Sequence, residues 1–427
     1  MNDVALLRTN PQLLAEGFLR RNLDVDLDSL VELDARRRSV RSAAEELRAE
    51  QKRAGKEISG LVGDAKAAAI AETSDLAEHY KASLAEADAL DAEFDAVWVP
   101  LPNTPHESVP VGATDEDNDE LRRWGEPPEF DFDALDHVDL GARLGIIDVE
   151  RAAKVSGSRF AYLMGEAVML EFALVQWTLG QLSAAGFKPV VPPVLVRESA
   201  LFGSGFFPGA REQVYAVGVS DGEKIESDGL FLAGTAEIPL AAMFADEILD
   251  AADLPIRFAG FSTCFRREAG TYGKDTRGMF RVHQFDKIEM FSYSHPDRSW
   301  DEHDYLLSLE ESMVQALGLP YRLVNVCAGD LGDPAAKKYD IEAWFAGQAA
   351  YREITSCSNT TDYQARRLRI RFRDGDGPTS IVHTLNGTAF AVGRTLVAIL
   401  ENNQRADGSV IVPKPLQPLL GTEVIGP

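Results

Sequence analysis

The sequence predicts an α+β chain: a long antiparallel pair of helices near the N-terminus, then a domain built on a largely antiparallel β-sheet flanked by helices. Three observations carry this. Residues 27–98 lack proline, are rich in Ala, Leu, Glu and Arg, and repeat with a heptad rhythm. Proline then crowds residues 98–110, "WVPLPNTPHESVP", where a helix cannot continue. Beyond Arg122, strand-like and helical runs mix without regular β-α-β alternation.

In the first segment Leu33, Arg37, Val40, Ala44, Leu47, Gln51, Ala54, Ile58 and Leu61 step alternately by four and three residues. That spacing keeps one stripe of a helix against a partner. After "SGLVGD" at 59–64 a second series runs Leu76, Tyr80, Ser83, Ala87, Leu90, Phe94 and Val97. Two seams of similar length joined by a Gly-containing turn predict a helical hairpin over about 27–98. At 1.5 Å per residue each helix reaches roughly 45–50 Å, longer than a globular domain buries, so the hairpin is expected to project. Its charges are segregated. Residues 36–57 carry eight basic and four acidic side chains, whereas in residues 65–97 Lys66 and Lys81 face eight acids. Solvated faces with interhelical ion pairs, or a basic helix offering phosphate contacts, both fit that pattern.

After the polar linker "GATDEDNDE", "AVMLEFALVQWTLGQLSAAGF" reads as a helix and "KPVVPPVLV" as an extended segment. The 45% apolar and 26% charged fractions are those of a globular protein, and 427 residues suffice for two or three domains. With 43 Lys and Arg against 68 Asp and Glu, the formal charge of −25 argues against indiscriminate nucleic-acid binding. It leaves room for specific binding through a local basic stripe. The N-terminus lacks the basic-then-apolar order of a signal peptide. The most apolar long stretch, 168–182, is interrupted by Glu171, Gln176 and Gln181, so no membrane span is predicted. Cys264, Cys327 and Cys357 are scattered, without CxxC, and no HxxxH occurs. A reducing, cytoplasmic location is expected, with neither a disulfide frame nor a zinc cluster.

One stretch departs from this acidic background. Residues 264–291, "CFRREAGTYGKDTRGMFRVHQFDKIEMF", hold Arg266, Arg267, Lys274, Arg277, Arg281 and Lys287 among Glu268, Asp275, Asp286 and Glu289. Two strand-like runs flank a loop with Gly270, Gly273 and Gly278. Alternation sets Arg266 with Glu268 on one face, and Arg281, His283, Phe285, Lys287 and Glu289 on another. An arginine fork grips carboxylate or phosphate, an aromatic ring stacks a purine, and a carboxylate holds an ammonium or hydroxyl. A nucleotide beside a small zwitterion suits such a surface; so does an exposed strand face laced with ion pairs. For His283 a structural hydrogen bond is favoured over proton transfer, and Cys264 and Cys357 read as small core residues.

The same stretch resembles the second signature motif of class II aminoacyl-tRNA synthetases, with Phe265-Arg266 and Glu268 closing one strand and a second strand opening near Arg277. "RGMFRVHQFDKIE" is close to the form found in seryl-tRNA synthetases. Further blocks resemble that family in order: "GFKPVVPPVL" (186–195) its first motif, dimer-forming, with Pro193, and "AGTAEIPL" (233–240) its serine-binding loop. "YREITSCSNTTDYQARR" (351–367) resembles its ATP- and magnesium-binding strand, and "HTLNGTAFAVGRTLVAILENNQ" (383–404) its third motif. "VSGSRFAYL" (155–163) and the helical hairpin agree as well. The resemblance runs essentially end to end.

It implies an N-terminal tRNA-binding domain over 1–105 and a class II catalytic domain over 106–427, with the second motif at about 257–291. It implies a homodimer that uses ATP, L-serine and tRNA(Ser), the last gripped through the helical arm. Thr235, Ala236, Glu237, Glu289 and Thr388 would form the serine pocket, with Arg266 bridging the serine carboxylate and the α-phosphate. Arg266, Arg267, Glu268, Val282, Phe285, Glu353, Ile354, Thr355, Ser356 and Arg394 would hold ATP, with Glu268 on the adenine edge and Phe285 under the ring. Glu353 and Ser356 would serve Mg²⁺, and no zinc is expected. Arg266, Arg394 and Glu353 would carry the chemistry. An ionised serine carboxylate needs no general base to attack the α-phosphorus; the site must supply positioning and charge neutralisation.

Four positions depart from the family's usual residues. Thr388-Ala389 stands for Ser-Gly, keeping the hydroxyl but adding a methyl beside the substrate and tightening the pocket; Thr355 stands for Ser, and Asn403 for Tyr. Strict alternation sets Glu353 and Thr355 on one face and Ser356 on the other, so a role for Ser356 requires a bulge or a strand end. A noncatalytic relative that binds tRNA or a partner is the competing reading. A relative charging a carrier protein would be expected to lack the long arm.

Overall fold

A computed structural model describes residues 1–220, 225–270, 275 and 277–426; Gly273 and Lys274 lie outside the described residues. The chain divides into two compact units, residues 2–19 with 23–101, and Met1 with 20–22 and the chain from 102 onward.

In the first unit α1 (Leu27–Ile58) and α2 (Gly63–Trp98) form the hairpin. The Asp26 side chain accepts from the Ser29 N–H and starts α1, satisfying a donor with no partner inside the helix. The helices run antiparallel, as their cross-pairs descend in α2 while rising in α1: Arg37 with Asp91 at 3.1 Å, Arg41 with Asp88 at 2.8 Å. The seam follows the heptad reading, with Arg37, Val40, Ala44, Leu47, Gln51, Ala54 and Ile58 turned inward. One position differs. Val97 is exposed and Trp98 is fully buried instead, stacked on Phe94 at 5.7 Å. The last step is therefore four residues rather than three, and the larger ring takes the buried place because it removes more apolar area from water. Beside it Asp34, buried, accepts from Arg8 at 2.7 Å and Arg38 at 3.0 Å and also pairs with Arg37, whose guanidinium lies 4.0 Å over the Phe94 ring.

The second unit is built on an eight-stranded sheet of β1 (Asp119–Trp124), β2 (Lys188–Val190), β3 (Ile256–Phe265), β4 (Gln284–Ser294), β5 (Tyr321–Asn325), β6 (Lys337–Phe345), β7 (Ala350–Thr361) and β8 (His383–Ala391). Their order is β1-β5-β6-β7-β8-β4-β3-β2. Every pairing is antiparallel except that of β2 with β3. The helices used below are α3 (His137–Leu144), α4 (Glu166–Ala184), α5 (Glu237–Ala241), α6 (Ser299–Ala316) and α7 (Val392–Asn402). One apolar core joins α4, α6 and α7 to the sheet through Leu170, Leu174, Leu306, Ile288, Met290, Leu385, Phe390, Leu396 and Ile399. Cys264, Cys327 and Cys357 are all free and buried.

Among the described residues the sheet shows four register shifts, and two of them re-aim side chains that matter below. Between β6 and β7 the register passes from Ile341 opposite Thr355 to Glu342 opposite Glu353, leaving Ile354 as an extra residue. Between β4 and β8, Glu289 faces Thr388 and Ile288 faces Phe390, so Ala389 is extra. An extra residue reverses the in-out alternation of everything beyond it. Strict alternation therefore fails at β7: Glu353 and Ser356 share one face, and Thr355 turns to the other. Ala389, whose methyl was expected to tighten the pocket, is fully buried in the apolar core and does not line the cavity described below.

Candidate active site

The face of the sheet opposite α6 lines a cavity of about 440 Å³. Its wall includes Thr235, Glu237, Arg266, Glu268, Val282, Phe285, Glu289, Glu353, Ile354, Ser356, Thr388 and Arg394, twelve of the fifteen side chains singled out from sequence. Three do not reach it. Ala236 is fully buried beside Leu240 in a neighbouring core. Arg267 is exposed, its backbone N–H donating to the Gln213 carbonyl at 2.9 Å. Thr355, behind the bulge, donates its hydroxyl to the buried Glu310 carboxyl on α6 at 3.0 Å. Burial pushes that Glu310 carboxyl well above the usual range.

One end of the cavity is lined by acids and amides. The Glu237 Oε1 accepts from Gln364 Nε2 at 2.7 Å and Asn386 Nδ2 at 3.0 Å. Burial, then the like charge of Glu289, raises its carboxyl to about 7, against the pull of Lys287. Glu289 pairs with Lys287 and accepts from the Thr235 hydroxyl at 3.4 Å, while Lys287 Nζ donates to Thr388 Oγ1 at 3.4 Å. These groups together can hold a small molecule bearing an ammonium and a hydroxyl.

Arginines line the remainder. Arg266 Nε donates to the Gly234 carbonyl at 3.1 Å, with its guanidinium 5.4 Å from the Phe285 ring centre. Glu268 accepts from Arg281 at 2.8 Å. Arg394 donates to the Glu353 carbonyl at 2.9 Å and carboxylate at 3.2 Å, and its guanidinium lies 4.7 Å over the Phe280 ring. Burial alone would raise the Glu353 carboxyl, but Lys338, Arg394 and Arg266 outweigh it and hold it at about 2. Burial likewise opposes the Lys338 ammonium, and Asp340 at 2.9 Å together with Glu353 raises it instead.

His283 does not line the cavity: its Nδ1 meets the Arg266 carbonyl at 3.0 Å, the structural hydrogen bond favoured from sequence. Lys287, Arg281, Lys338 and Asn386 do line it and were not singled out as site residues. Lys287 already shared a strand face with Glu289; Arg281 and His283 were expected on that face too, but β4 begins only at Gln284, so both lie in the loop before it and alternation does not govern them. Asn386 stands two residues before Thr388, so the alternation needed to find it was in the sequence. Lys338 carried no such signal.

Two family models match the chain: the seryl-tRNA synthetase N-terminal domain over residues 1–105, and the tRNA synthetase class II core domain (G, H, P, S and T) over 221–403. The serine–tRNA ligase of Acidothermus cellulolyticus is 49% identical over 100% of both chains. That of Streptomyces coelicolor is 50% identical over 100% of this chain and 99% of its own. Among solved structures, seryl-tRNA synthetase from Pyrococcus horikoshii complexed with ATP superposes with a TM-score of 0.90 at 42% identity, covering 100% of both chains. The cytoplasmic serine–tRNA ligase of Naegleria fowleri in complex with AMP gives 0.87 at 35% identity, covering 99% of this chain and 98% of that one. The chain belongs to the seryl-tRNA synthetase family of class II aminoacyl-tRNA synthetases.

Proposed function

We propose that the chain activates L-serine with ATP to seryl-adenylate and pyrophosphate, then transfers the seryl group to the 3′ end of tRNA(Ser), and of tRNA(Sec) where that is present. The observation that carries this reading is the convergence of Arg266, Arg394 and Glu353 with Thr235, Glu237, Glu289 and Thr388 around one cavity. No observation favours a noncatalytic relative.

Glu237, Glu289 and Thr235 hold the serine ammonium and hydroxyl, with Thr388 closing the hydroxyl pocket. Arg266 binds the serine carboxylate and the α-phosphate together, so that one carboxylate oxygen attacks phosphorus as the bond to pyrophosphate breaks in line. Phe285 stacks under adenine, and Glu268, already fixed by Arg281, meets its edge. Arg394 neutralises charge on the triphosphate from the far side. These guanidiniums are fixed by their hydrogen bonds before substrate arrives, which spares reorganisation during the reaction. In the second step a ribose hydroxyl of the tRNA terminus attacks the seryl carbonyl carbon and AMP leaves.

Glu353, kept ionised, and the Ser356 hydroxyl on the same face are hard oxygen donors of the kind Mg²⁺ takes together with phosphate oxygens. Bound with ATP, Mg²⁺ would supply further neutralisation of the phosphates. The arm is assigned to tRNA, and the assembly to a homodimer in the cytoplasm. Val191 at 80% exposure and Phe172 at 60%, on the β2 strand's exit and on α4, support a self-association face there. Among the described residues, no helix is long and apolar enough to cross a membrane.

Serine-dependent exchange of pyrophosphate into ATP tests the first step, with alanine, threonine and glycine as controls. Exchange with serine alone, reduced at least about a hundredfold in Arg266→Ala, is expected. A folded protein with Mg²⁺ and no exchange would overturn the reading.

A further inference from the structure

Outside the residues so far assigned, "DALDHVDLGARLG" places a histidine at the first position of α3. The His137 side chain is buried. Its Nδ1 lies 2.8 Å from Glu401 Oε1 on α7, and that same oxygen accepts the His137 backbone N–H at 3.1 Å. Its Nε2 lies 3.1 Å from the backbone nitrogen of Met279. A backbone N–H can only donate, so Nε2 is the acceptor and Nδ1 carries the hydrogen given to Glu401. The other Glu401 oxygen accepts from the Gly347 N–H at 2.9 Å. Gly278, at φ 81°, makes room for the ring, since a Cβ there would stand 2.1 Å from Nε2.

The bond to Met279 matters because Phe280 is the next residue in the chain. The Phe280 carbonyl accepts from Arg394 Nε at 3.3 Å, and the Phe280 ring lies under the same guanidinium. Arg394 and Glu401 both belong to α7, about two turns apart. Consecutive residues of the loop exit are thus tied to one helix, Met279 through His137 to Glu401 and Phe280 directly to Arg394. Met279, Phe280 and Arg394 all line the cavity. A rigid clip at this point holds the arginine in one orientation, where a shift of an ångström would cost binding.

We infer that His137 is a positioning residue for the nucleotide half of the site: its ring fixes Met279–Phe280 against α7 and thereby orients Arg394 toward the triphosphate. This rests on the assignment of the cavity to ATP and serine.

The test compares His137→Asn with His137→Gln in the full chain. Asparagine carries its amide near the depth of Nδ1 and can still reach Glu401; glutamine carries it near the depth of Nε2 and can still accept from Met279. Two readouts are taken: ATP affinity by calorimetry, and the separate KM values for ATP and serine in pyrophosphate exchange. His137→Asn is expected to weaken ATP by roughly tenfold in both, the scale of one lost hydrogen bond, with the serine KM within about twofold of wild type. His137→Gln should recover most of the loss. Unchanged ATP binding in His137→Asn, or a parallel loss for ATP and serine that glutamine does not rescue, overturns the inference. If His137→Asn does not fold, His137→Gln decides alone: ATP affinity within about twofold of wild type supports the inference, and a tenfold loss overturns it. A wild-type protein that binds ATP but shows no serine-dependent exchange would sink the activity, while the calorimetric comparison still judges the role of His137.

Discussion

At the residue scale, Glu237 sets a pH dependence with a definite sign. Its carboxyl is raised to about 7, first by burial and then by Glu289. If it holds the serine ammonium it must be ionised, so below about pH 7 binding has to expel a proton. The KM for serine should therefore rise on acidification from pH 8 to pH 6, approaching about tenfold per unit below 7 by single-proton linkage. Glu237→Gln should bind serine more weakly and show a flat profile; an unchanged slope in that variant would assign the titration elsewhere. Most of this site was legible residue by residue, because strand alternation brings Phe285 and Glu289 to one face without help from tertiary structure. Thr355 and Ser356 exchanged places because one extra residue, Ile354, has no partner in β6. Nothing in "YREITSCSN" marks a bulge: none of Glu353, Ile354 and Thr355 is a glycine or proline. Lys338 was out of reach for another reason, since its place in the cavity depends on β6 pairing with a strand formed later in the chain.

At the element scale, the hairpin was the most readable part of the chain, since a heptad seam is a local pattern and its partner follows within a short turn. The seam was wrong only at Val97, where the repeat meets the end of α2 and the Trp98 ring outcompetes it. The two readings of the basic helix separate along its length. Arg36, Arg37 and Arg41 are engaged by Glu86, Asp88 and Asp91. Among the described residues, Lys52, Arg53 and Lys56 toward the turn make no ion pair. The paired residues hold the helices together, and the distal ones are available for phosphate. Substituting Lys52, Arg53 and Lys56 with alanine should raise the KM for tRNA and reduce the slope of log affinity against log salt by up to about three, one per phosphate contact. Pyrophosphate exchange should be unaffected. A charging reaction with the same salt slope as wild type would return these side chains to the role of solvated surface.

At the scale of the whole molecule, a chain of formal charge −25 has to bind a polyanion. Its overall field repels nucleic acid, so attraction must come from local basic groups acting within a Debye length of about 8 Å at physiological salt. This charge pattern suits a division of labour. The cavity's arginines, proposed above to meet the phosphates of ATP, are held in place by Glu353, Glu268 and the Gly234 carbonyl, all within the second unit. The basic run of α1 belongs to the first unit, which has its own buried residues, Ala87, Leu90, Phe94 and Trp98 among them. Removing residues 33–97 and bridging the ends with a short flexible linker should then leave adenylate formation within a few-fold of wild type. It should abolish seryl transfer to tRNA at substrate levels near the wild-type KM. Circular dichroism and light scattering on the same preparation would establish that the shortened protein is folded and in the wild-type oligomeric state. Loss of both activities in parallel from such a protein would show that activation itself needs the arm, and a shortened chain that still charges tRNA at the wild-type rate would remove the arm from tRNA recognition altogether.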